Sequence, residues 1–180
     1  MLERAFYARD AESVARDLLG CHLLVASESG TTRSRIVETE AYLGEADLGA
    51  HASKGRTKRT EVIFGPPGVA YIYLVYGMYD MFNVVTDKVG SAHAVLVRAV
   101  EPLSEGITNT DGPGKLTRAL GITRAHNGMN LFGPELWLEA GTPPANITVT
   151  PRIGIDYAKE WKDAPLRFFD AESKHVSKRR

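Results

Sequence analysis

The chain has little of what would place it in several large classes of protein. Only one of its 180 residues is cysteine, Cys21, so no disulfide can form within the chain and a disulfide scaffold is excluded. No apolar run approaches the ~20 residues that a membrane-spanning helix needs, and residues 1–10 contain no apolar segment of the kind found in signal peptides. We therefore expect a protein of a reducing compartment that lies in no membrane.

Sequence motifs of several common chemistries are also missing. The five histidines show neither H-x-H nor H-x-x-x-H spacing, and the single cysteine provides no second sulfur ligand, so no metal site is expected. No serine lies in a G-x-S-x-G motif, and neither a P-loop nor a dinucleotide-binding glycine pattern occurs. The sequence thus favours neither a serine hydrolase nor a nucleotide-cofactor enzyme.

Net charge gives no sign of a nucleic-acid partner, because 22 basic residues balance 22 acidic ones. The charges are nevertheless segregated. Four basic residues crowd into the segment KGRTKR, namely Lys54, Arg56, Lys58 and Arg59. Such a segment is either a solvated loop or a positive surface for a polyanion such as DNA.

Hydrophobic periodicity predicts a mixture of helices and strands. A helix is expected over AESVARDLLG with Asp10 as its N-cap, and a shorter one over KLTRALGI after Gly112-Pro113-Gly114. The strand predictions are CHLLVA, SRIVETEAY, VAYIYLVY, FNVVT, HAVLVRAV, ELWLEA and ITVTPRIGI. No linker or repeat divides the chain, so we expect a single α+β domain over residues 1–180.

Two acidic residues and one arginine stand in segments that otherwise predict buried strands. Strand alternation places Ile36, Glu38 and Glu40 on one face, with successive side chains ~6.6 Å apart. Arg98 lies inside the apolar run HAVLVRAV, and a buried guanidinium needs an anionic partner, for which Glu40 and Glu38 are the candidates. These residues form either a structural ion pair in the core or part of an active site.

Five of the seven tyrosines fall between positions 42 and 79. Tyr71 and Tyr73 alternate onto one strand face, where aromatic side chains usually belong to a core. Tyr76 differs because it stands beside Gly77, where a hairpin must turn, so we expect its ring to point outward. Together with the basic segment, an outward ring could stack on bases or wedge between them.

Carboxylates, a buried arginine, clustered tyrosines and a basic segment are together what an enzyme needs to act on a nucleotide rotated out of DNA. On these residues the chain resembles the alkyladenine (3-methyladenine) DNA glycosylase family, in order over nearly its whole length. The matching segments are VETEAYLG (37–44), His51, FGPPGVAYIYLVYGMY (64–79), Asn83, VLVRAVEP (95–102), GPGKL (112–116), RIGI (152–155) and PLRFF (165–169). The resemblance implies one mixed domain with helices around a curved antiparallel sheet.

The resemblance also implies a reaction, the hydrolysis of the N-glycosidic bond of an alkylated or deaminated purine such as 3-methyladenine, 7-methylguanine or hypoxanthine. Glu40 would activate the attacking water, and Arg98 would help to hold this water and orient the carboxylate. The transition state of this reaction resembles an oxocarbenium ion, which a nearby carboxylate stabilises. No cofactor is implied. No lysine falls in the matched pocket motifs to serve as the amine of a lyase, so a monofunctional enzyme is favoured.

Other matching residues would bind the substrate. Tyr42, His51 and Tyr73 would enclose the flipped base, and Asn83 would lie at the pocket floor, where family members screen against the amino group of guanine. Tyr76 would fill the gap left in the duplex. The basic segment lies outside the matching segments, and from its charge we expect Lys54, Arg56, Lys58 and Arg59 to bind DNA phosphates.

The expected partner is double-stranded DNA with damaged purines, bound by a monomer in the bacterial cytoplasm at the nucleoid, or in the nucleus of a eukaryote. One departure from the family is the short segment SEGITNTD (104–111) before GPGKL, where family members usually carry a longer, charge-rich stretch. Two alternatives remain open. One is a non-catalytic module that binds damaged DNA, and the other is a metal-dependent nucleotide hydrolase.

Overall fold

A computed structural model describes residues 1–177 of the chain. Within them, the α-helices are α1 (Arg4–Tyr7), α2 (Ala11–Leu18) and α3 (Pro113–Leu120). The strands are β1 (His22–Ser27), β2 (Gly30–Leu43), β3 (Ala70–Val75), β4 (Tyr79–Thr86), β5 (His93–Pro102), β6 (Leu136–Glu139), β7 (Ile147–Thr150) and β8 (Arg167–Asp170). None of the helices in this part of the chain has the length and apolar character needed to cross a membrane.

All eight strands belong to one curved antiparallel sheet, which confirms the predicted α+β fold. The main path has the order β3-β4-β5-β2-β1-β6, while β8 pairs with both β2 and β7. Strand β2 lies at the centre of the sheet. Strand β5 pairs along one edge of β2, whereas β1 pairs with the first half of the other edge and β8 with part of the second half. The second half of β2, which carries the two predicted carboxylates, is therefore flanked by strands on both sides.

Strand alternation gives the sheet two different faces. On one face Ala70, Phe82, Val84 and Val95 join the main hydrophobic core, in which the helices also pack. On the other face Tyr71, Val85 and Ala94 form a smaller cluster beneath residues 51–64. Because neighbouring residues of a strand point to opposite faces, the same strands build both the core and the second, more polar surface.

Two β-bulges, one on β2 and one on β5, make the observed pattern of side-chain directions differ from the predicted one. Ile36 opposes Val100 and Glu38 opposes Ala99, so Val37 is an extra residue on β2. The next pair is Thr39 with Val97, so Arg98 is an extra residue on β5. The bulges shift the alternation by one position, as β-bulges do. Ile36 consequently packs in the main core, whereas Glu38 and Glu40 turn to the opposite face with the arginine. The prediction that Ile36 shares their face was wrong.

Helix α2 follows the sequence prediction closely. The Asp10 side chain accepts a hydrogen bond from the backbone N–H of Ser13 at 2.9 Å, which caps the helix. Val14 and Leu18 are buried against the sheet. Gly20 ends the segment with a φ of 88°, a value that L-residues with side chains rarely adopt.

The turn between β3 and β4 contains a tyrosine with positive φ, which is unusual for this residue type. Val75 C=O accepts a hydrogen bond from Met78 N–H at 3.1 Å, and the two residues between them, Tyr76 and Gly77, have φ values of 53° and 68°. Positive φ at both central positions is typical of the turns that match strand twist, but glycine and asparagine are the residues that adopt it readily. Tyr76 is 87% exposed, which confirms the predicted outward orientation of its side chain.

Other elements differ from the sequence prediction. ITVTPRIGI is a strand only over Ile147–Thr150, because Pro151 cannot donate to a strand ladder and a loop follows. Helix α1 and strand β8, of four residues each, were not predicted as elements. The short segment 104–111 is a loop between β5 and α3, held by a 2.6 Å hydrogen bond that Thr110 Oγ1 donates to Val100 C=O.

Candidate active site

A cavity of about 540 Å³ opens on the face of the sheet opposite the main core. Its walls come from β2 to β5, from the segment that begins at His51 and from the loop after β7. The structure places there Arg98, one of the two predicted catalytic residues, and most of the residues predicted for substrate and DNA. The latter are Tyr42, His51, Arg59, Tyr73, Tyr76 and Asn83.

Glu40 lies immediately behind the cavity wall, where it is fully buried. Its Oε1 accepts the backbone N–H of Ile153 at 2.7 Å, and its Oε2 accepts the Tyr42 hydroxyl at 2.8 Å. Arg98 Nη1 is 3.4 Å from Oε2. All three partners line the cavity. Because a carboxylate offers about four acceptor sites, these contacts leave roughly one for a further donor at the wall.

Arg98 contacts both of its candidate partners. Its Nε donates to Glu38 Oε1 at 3.0 Å, whereas Nη1 faces Glu40. Burial by itself lowers the pKa of Arg98, but the negative charges of Glu40 and Glu38 outweigh that effect and hold the pKa above its ordinary value. The predicted pairing of a buried guanidinium with these carboxylates is confirmed. The roles of Glu40 and Arg98 in a reaction stay predictions.

Aromatic rings dominate the cavity. The ring centroids of His51 and Tyr73 are 4.1 Å apart, and those of Tyr71 and Tyr73 are 5.4 Å apart. A pair at 4.1 Å leaves no room for a third ring between its members, so His51 and Tyr73 together form one continuous wall. Burial raises the pKa of Tyr42 well above its ordinary value, and the charge of Glu40 raises it further. The Tyr42 hydroxyl therefore remains a proton donor.

The environment of His51 favours its neutral form. Burial, with the positive charges of Arg59 and Lys54, lowers the pKa of His51 from 6.5 to about 4. Nδ1 lies 3.1 Å from the Tyr71 hydroxyl. A neutral imidazole has one donating and one accepting nitrogen, so the Nε2 atom keeps a hydrogen-bonding capacity that no other described residue takes up.

Asn83 is buried at the base of the cavity. Its Nδ2 donates to the backbone carbonyls of Tyr71 and Met81, both at 3.2 Å. These two bonds fix the plane of the amide. No described residue hydrogen-bonds to Oδ1. The amide therefore presents a rigid acceptor.

The basic segment lies beside the cavity mouth, but its four charges are not equivalent. Arg56 forms a two-point ion pair with Glu61, so its charge is neutralised locally. Arg59 donates to Leu74 C=O at 3.0 Å and lies with its guanidinium carbon 5.8 Å from the ring centre of Tyr73. The side chains of Lys54 and Lys58 are exposed. The structure thus brings this segment and the β3–β4 turn to the same rim.

The sequence analysis did not predict a buried ion pair that lies behind the cavity wall, next to Tyr42. Arg152 and Asp47 are both fully buried and form a two-point contact. Arg152 also donates to Ala41 C=O at 2.9 Å and places its guanidinium carbon 4.6 Å from the ring centre of Tyr42. One face of the Tyr42 ring is therefore covered. The adjacent residue, Ile153, holds Glu40. The only signal in the sequence was an arginine within the matching segment RIGI.

Metal-binding side chains do not converge in the part of the chain that the structure describes. Within residues 1–177, no group of three or more His, Cys, Asp or Glu side chains is placed to hold a metal ion.

Comparison with known proteins identifies relatives over nearly the whole chain. A model of the methylpurine-DNA glycosylase family matches residues 5–174. A Myxococcus xanthus (strain DK1622) protein is 58% identical, with 98% of this chain and 93% of the relative covered. Proteins of Methanocella arvoryzae (strain DSM 22066 / NBRC 105507 / MRE50) and Legionella pneumophila (strain Lens) are 48% and 47% identical, covering 99% and 98% of this chain and 96% and 98% of the relatives. All three carry the name of a candidate 3-methyladenine DNA glycosylase.

We expect His51 to make the folded protein sensitive to acid. Its pKa is about 4 in the folded state and 6.5 as the ordinary value, so between these pH values the unfolded chain binds a proton that the folded chain does not. The free energy of unfolding therefore falls as the pH drops from 6.5 towards 4, by at most about 3 kcal/mol. Urea unfolding of wild type and His51→Gln across this range should show a shallower decline for the variant. Parallel declines would contradict the prediction.

Removing Arg152 should leave Asp47 as an uncompensated buried charge. We expect Arg152→Met, which keeps a long apolar stem, to lower the free energy of unfolding by roughly 3–5 kcal/mol. The double variant Arg152→Met/Asp47→Asn should lose less than the sum of the single losses, because no charge is then stranded. Urea unfolding of the three variants measures this difference. Strict additivity would show that the two side chains do not depend on each other.

Proposed function

The chain belongs to the methylpurine-DNA glycosylase family, and we propose that it is a monofunctional DNA glycosylase that releases alkylated purines, of the 3-methyladenine type, from double-stranded DNA in base-excision repair. The observation that carries this proposal is the position of Glu40, a buried carboxylate directly behind the wall of an aromatic cavity. A cavity of about 540 Å³ has the volume of a small-molecule site. One extruded base fits this class of site.

In the proposed mechanism, Glu40 activates the water that attacks the sugar. Ile153 N–H and the Tyr42 hydroxyl fix the carboxylate, and the remaining acceptor site at the cavity wall takes the water. Arg98 Nη1 lies close enough to Oε2 to bind the same water. The negative charge of Glu40 also stabilises the positive charge that develops on the sugar as the base leaves.

The flipped base stacks on the wall formed by His51 and Tyr73. It cannot lie between those rings, because their centroids are only 4.1 Å apart. Tyr42 closes the other side, since Arg152 covers one of its faces and leaves the second face for the base. At the cavity base, the Asn83 amide is held by two hydrogen bonds and cannot move aside, so it screens against the additional amino group of a normal guanine by occupying its space.

The residues that line the cavity support a monofunctional glycosylase. A lyase forms a Schiff base with an amine, and lysine is absent from the described residues that line the cavity.

A cationic alkylpurine is itself a good leaving group, so its release requires activation of the water but no proton donor. For a neutral base such as hypoxanthine, departure gains from a proton or a hydrogen bond, and the neutral His51 can supply only a hydrogen bond, through Nε2.

The rim of the cavity fits the DNA backbone and the gap in the duplex. Tyr76 stands 87% exposed on a turn, from which its ring can enter the space that the flipped nucleotide vacates. Exposed Lys54 and Lys58, with Arg59, supply positive charge for phosphates. We expect Arg56 to contribute less than its three neighbours, because Glu61 already pairs with it.

One incubation separates this function from its alternatives. The protein is mixed with an alkylated duplex in the presence of a chelator, and the products are resolved by chromatography. Release of free base with an intact backbone supports the glycosylase. Bound but unchanged DNA would indicate a non-catalytic binding module, and cleavage of the strand that the chelator abolishes would indicate a metal-dependent hydrolase.

Glu40→Gln should retain lesion binding but lose most base release. The amide has nearly the same volume and can still accept from Ile153, but it cannot take a proton from water. Single-turnover excision and binding of a lesion duplex are measured for this variant and for Glu101→Gln, a control at the outer end of β5 that pairs loosely with Arg35 at 3.5 Å. Near wild-type excision by Glu40→Gln would remove Glu40 from the mechanism.

Tyr76→Ala should weaken the extrahelical state rather than the chemistry. Without the ring, the gap in the duplex stays unfilled and the base returns to the stack more readily. Excision from duplex DNA should therefore fall more than excision from the same lesion in a single strand or opposite a mismatch. Met78→Ala, at an exposed position of the same turn, is the control. Equal losses on paired and unpaired substrates would exclude the wedge role.

A further inference from the structure

We propose that Glu38 and Ser177 are positioning residues for the base excision described above, because together they hold Arg98 so that Glu40 keeps an acceptor site for the attacking water. This inference rests on the proposed function. The starting observation is that Glu38 is the fully buried second carboxylate of β2 and does not line the cavity. It accepts from Arg98 Nε at 3.0 Å and from Arg167 Nε at 2.8 Å.

The contact with Glu38 decides where the Arg98 guanidinium points. A guanidinium is planar, so its bond through Nε fixes the plane and turns Nη1 towards Glu40. The Nη1 contact with Glu40 is loose, at 3.4 Å. Without Glu38, Arg98 could form a close two-point ion pair with Glu40, the preferred geometry of arginine with a carboxylate. Such a pair would occupy the acceptor site that we assign to the water.

Ser177 holds Glu38 from the opposite end of the chain. Its backbone N–H donates to Glu38 Oε2 at 2.7 Å, and its hydroxyl donates to Oε1 at 2.9 Å. Arg98 Nη2 also lies 3.5 Å from the Ser177 hydroxyl. These bonds join residues 139 positions apart in the sequence. Residues 171–177, which follow β8, therefore complete the support of Glu38 and Arg98, although none of them lines the cavity.

Charge balance gives Glu38 a second effect on Glu40. The titratable and charged groups around Glu40 are Tyr42 on its own strand, Tyr73 on β3, Arg98 on β5, Arg152 in the loop after β7 and, across Glu38, Arg167 on β8. Glu38 offsets the positive charge of Arg98 and Arg167. Its removal leaves Glu40 facing less compensated positive charge, which strengthens the attraction between Glu40 and Arg98.

The test uses the full chain in single-turnover excision with saturating enzyme, alongside lesion binding and unfolding. Glu38→Gln should lower the excision rate by up to ~10²-fold and leave lesion affinity within about threefold of wild type. Thr39→Val is the matched control. It removes the 2.8 Å hydrogen bond that Thr39 donates to Ala15 C=O on the opposite face of β2, so it should change stability alone.

Ser177 provides a second test in case Glu38→Gln folds poorly. Ser177→Ala should lower the excision rate roughly 2- to 10-fold, as expected for one hydrogen bond, while Ser177→Thr, which keeps the hydroxyl, restores it. Unchanged rates in Glu38→Gln and Ser177→Ala, with Glu40→Gln inactive, would overturn this inference and leave the proposed function standing. Equal rates for Ser177→Ala and Ser177→Thr would also overturn the role of Ser177. If the wild-type chain releases no base, both proposals fail.

Discussion

The structure depends on a group of buried charges where β2, β5 and β8 meet. Glu38 bonds to both Arg98 and Arg167, and Glu40 lies beside Arg98. An isolated buried charge is strongly unfavourable, and removal of one partner typically costs about 3–5 kcal/mol. Each ion therefore requires the others, and a shift in the register of β2 against β5 or β8 would separate these pairs. The same contacts that align the strands orient the carboxylate, so the fold and the candidate site have a common origin.

The bulges at Val37 and Arg98 explain how one sheet serves two purposes. On either side of them, alternate residues of β2 and β5 pack into the main core against α2. At the bulges the alternation shifts by one residue, and charged side chains turn to the opposite face together. Regular strands would have placed Ile36 on the charged face. A local irregularity thus separates the apolar residues that stabilise the sheet from the polar residues that line or support the cavity.

Sequence patterns revealed the elements that depend on local forces. Asp10 before an amphipathic segment predicted α2, and alternating apolar runs predicted most strands, because caps and burial patterns span only a few residues. Long-range geometry was beyond such patterns. Nothing near Ser177 indicates a contact with Glu38, and the partner of Arg152 lies 105 positions away. The bulges at Val37 and Arg98 could not be predicted either, because the apolar and β-branched residues of the two strands indicate a strand but not its irregularities. The family resemblance identified the pocket residues, whereas the support behind them required the structure.

The central claim is that the ionised Glu40 activates water while the leaving base decides whether an acid is needed. The direct measurement is the pH dependence of single-turnover excision for cationic 7-methylguanine and neutral hypoxanthine, with saturating wild-type enzyme and with Glu40→Gln. We expect both substrates to share a rising acidic limb in the wild type, followed by a plateau for 7-methylguanine and a decline for hypoxanthine. The variant should lose the acidic limb on both substrates. An acidic limb that persists in Glu40→Gln would contradict the account.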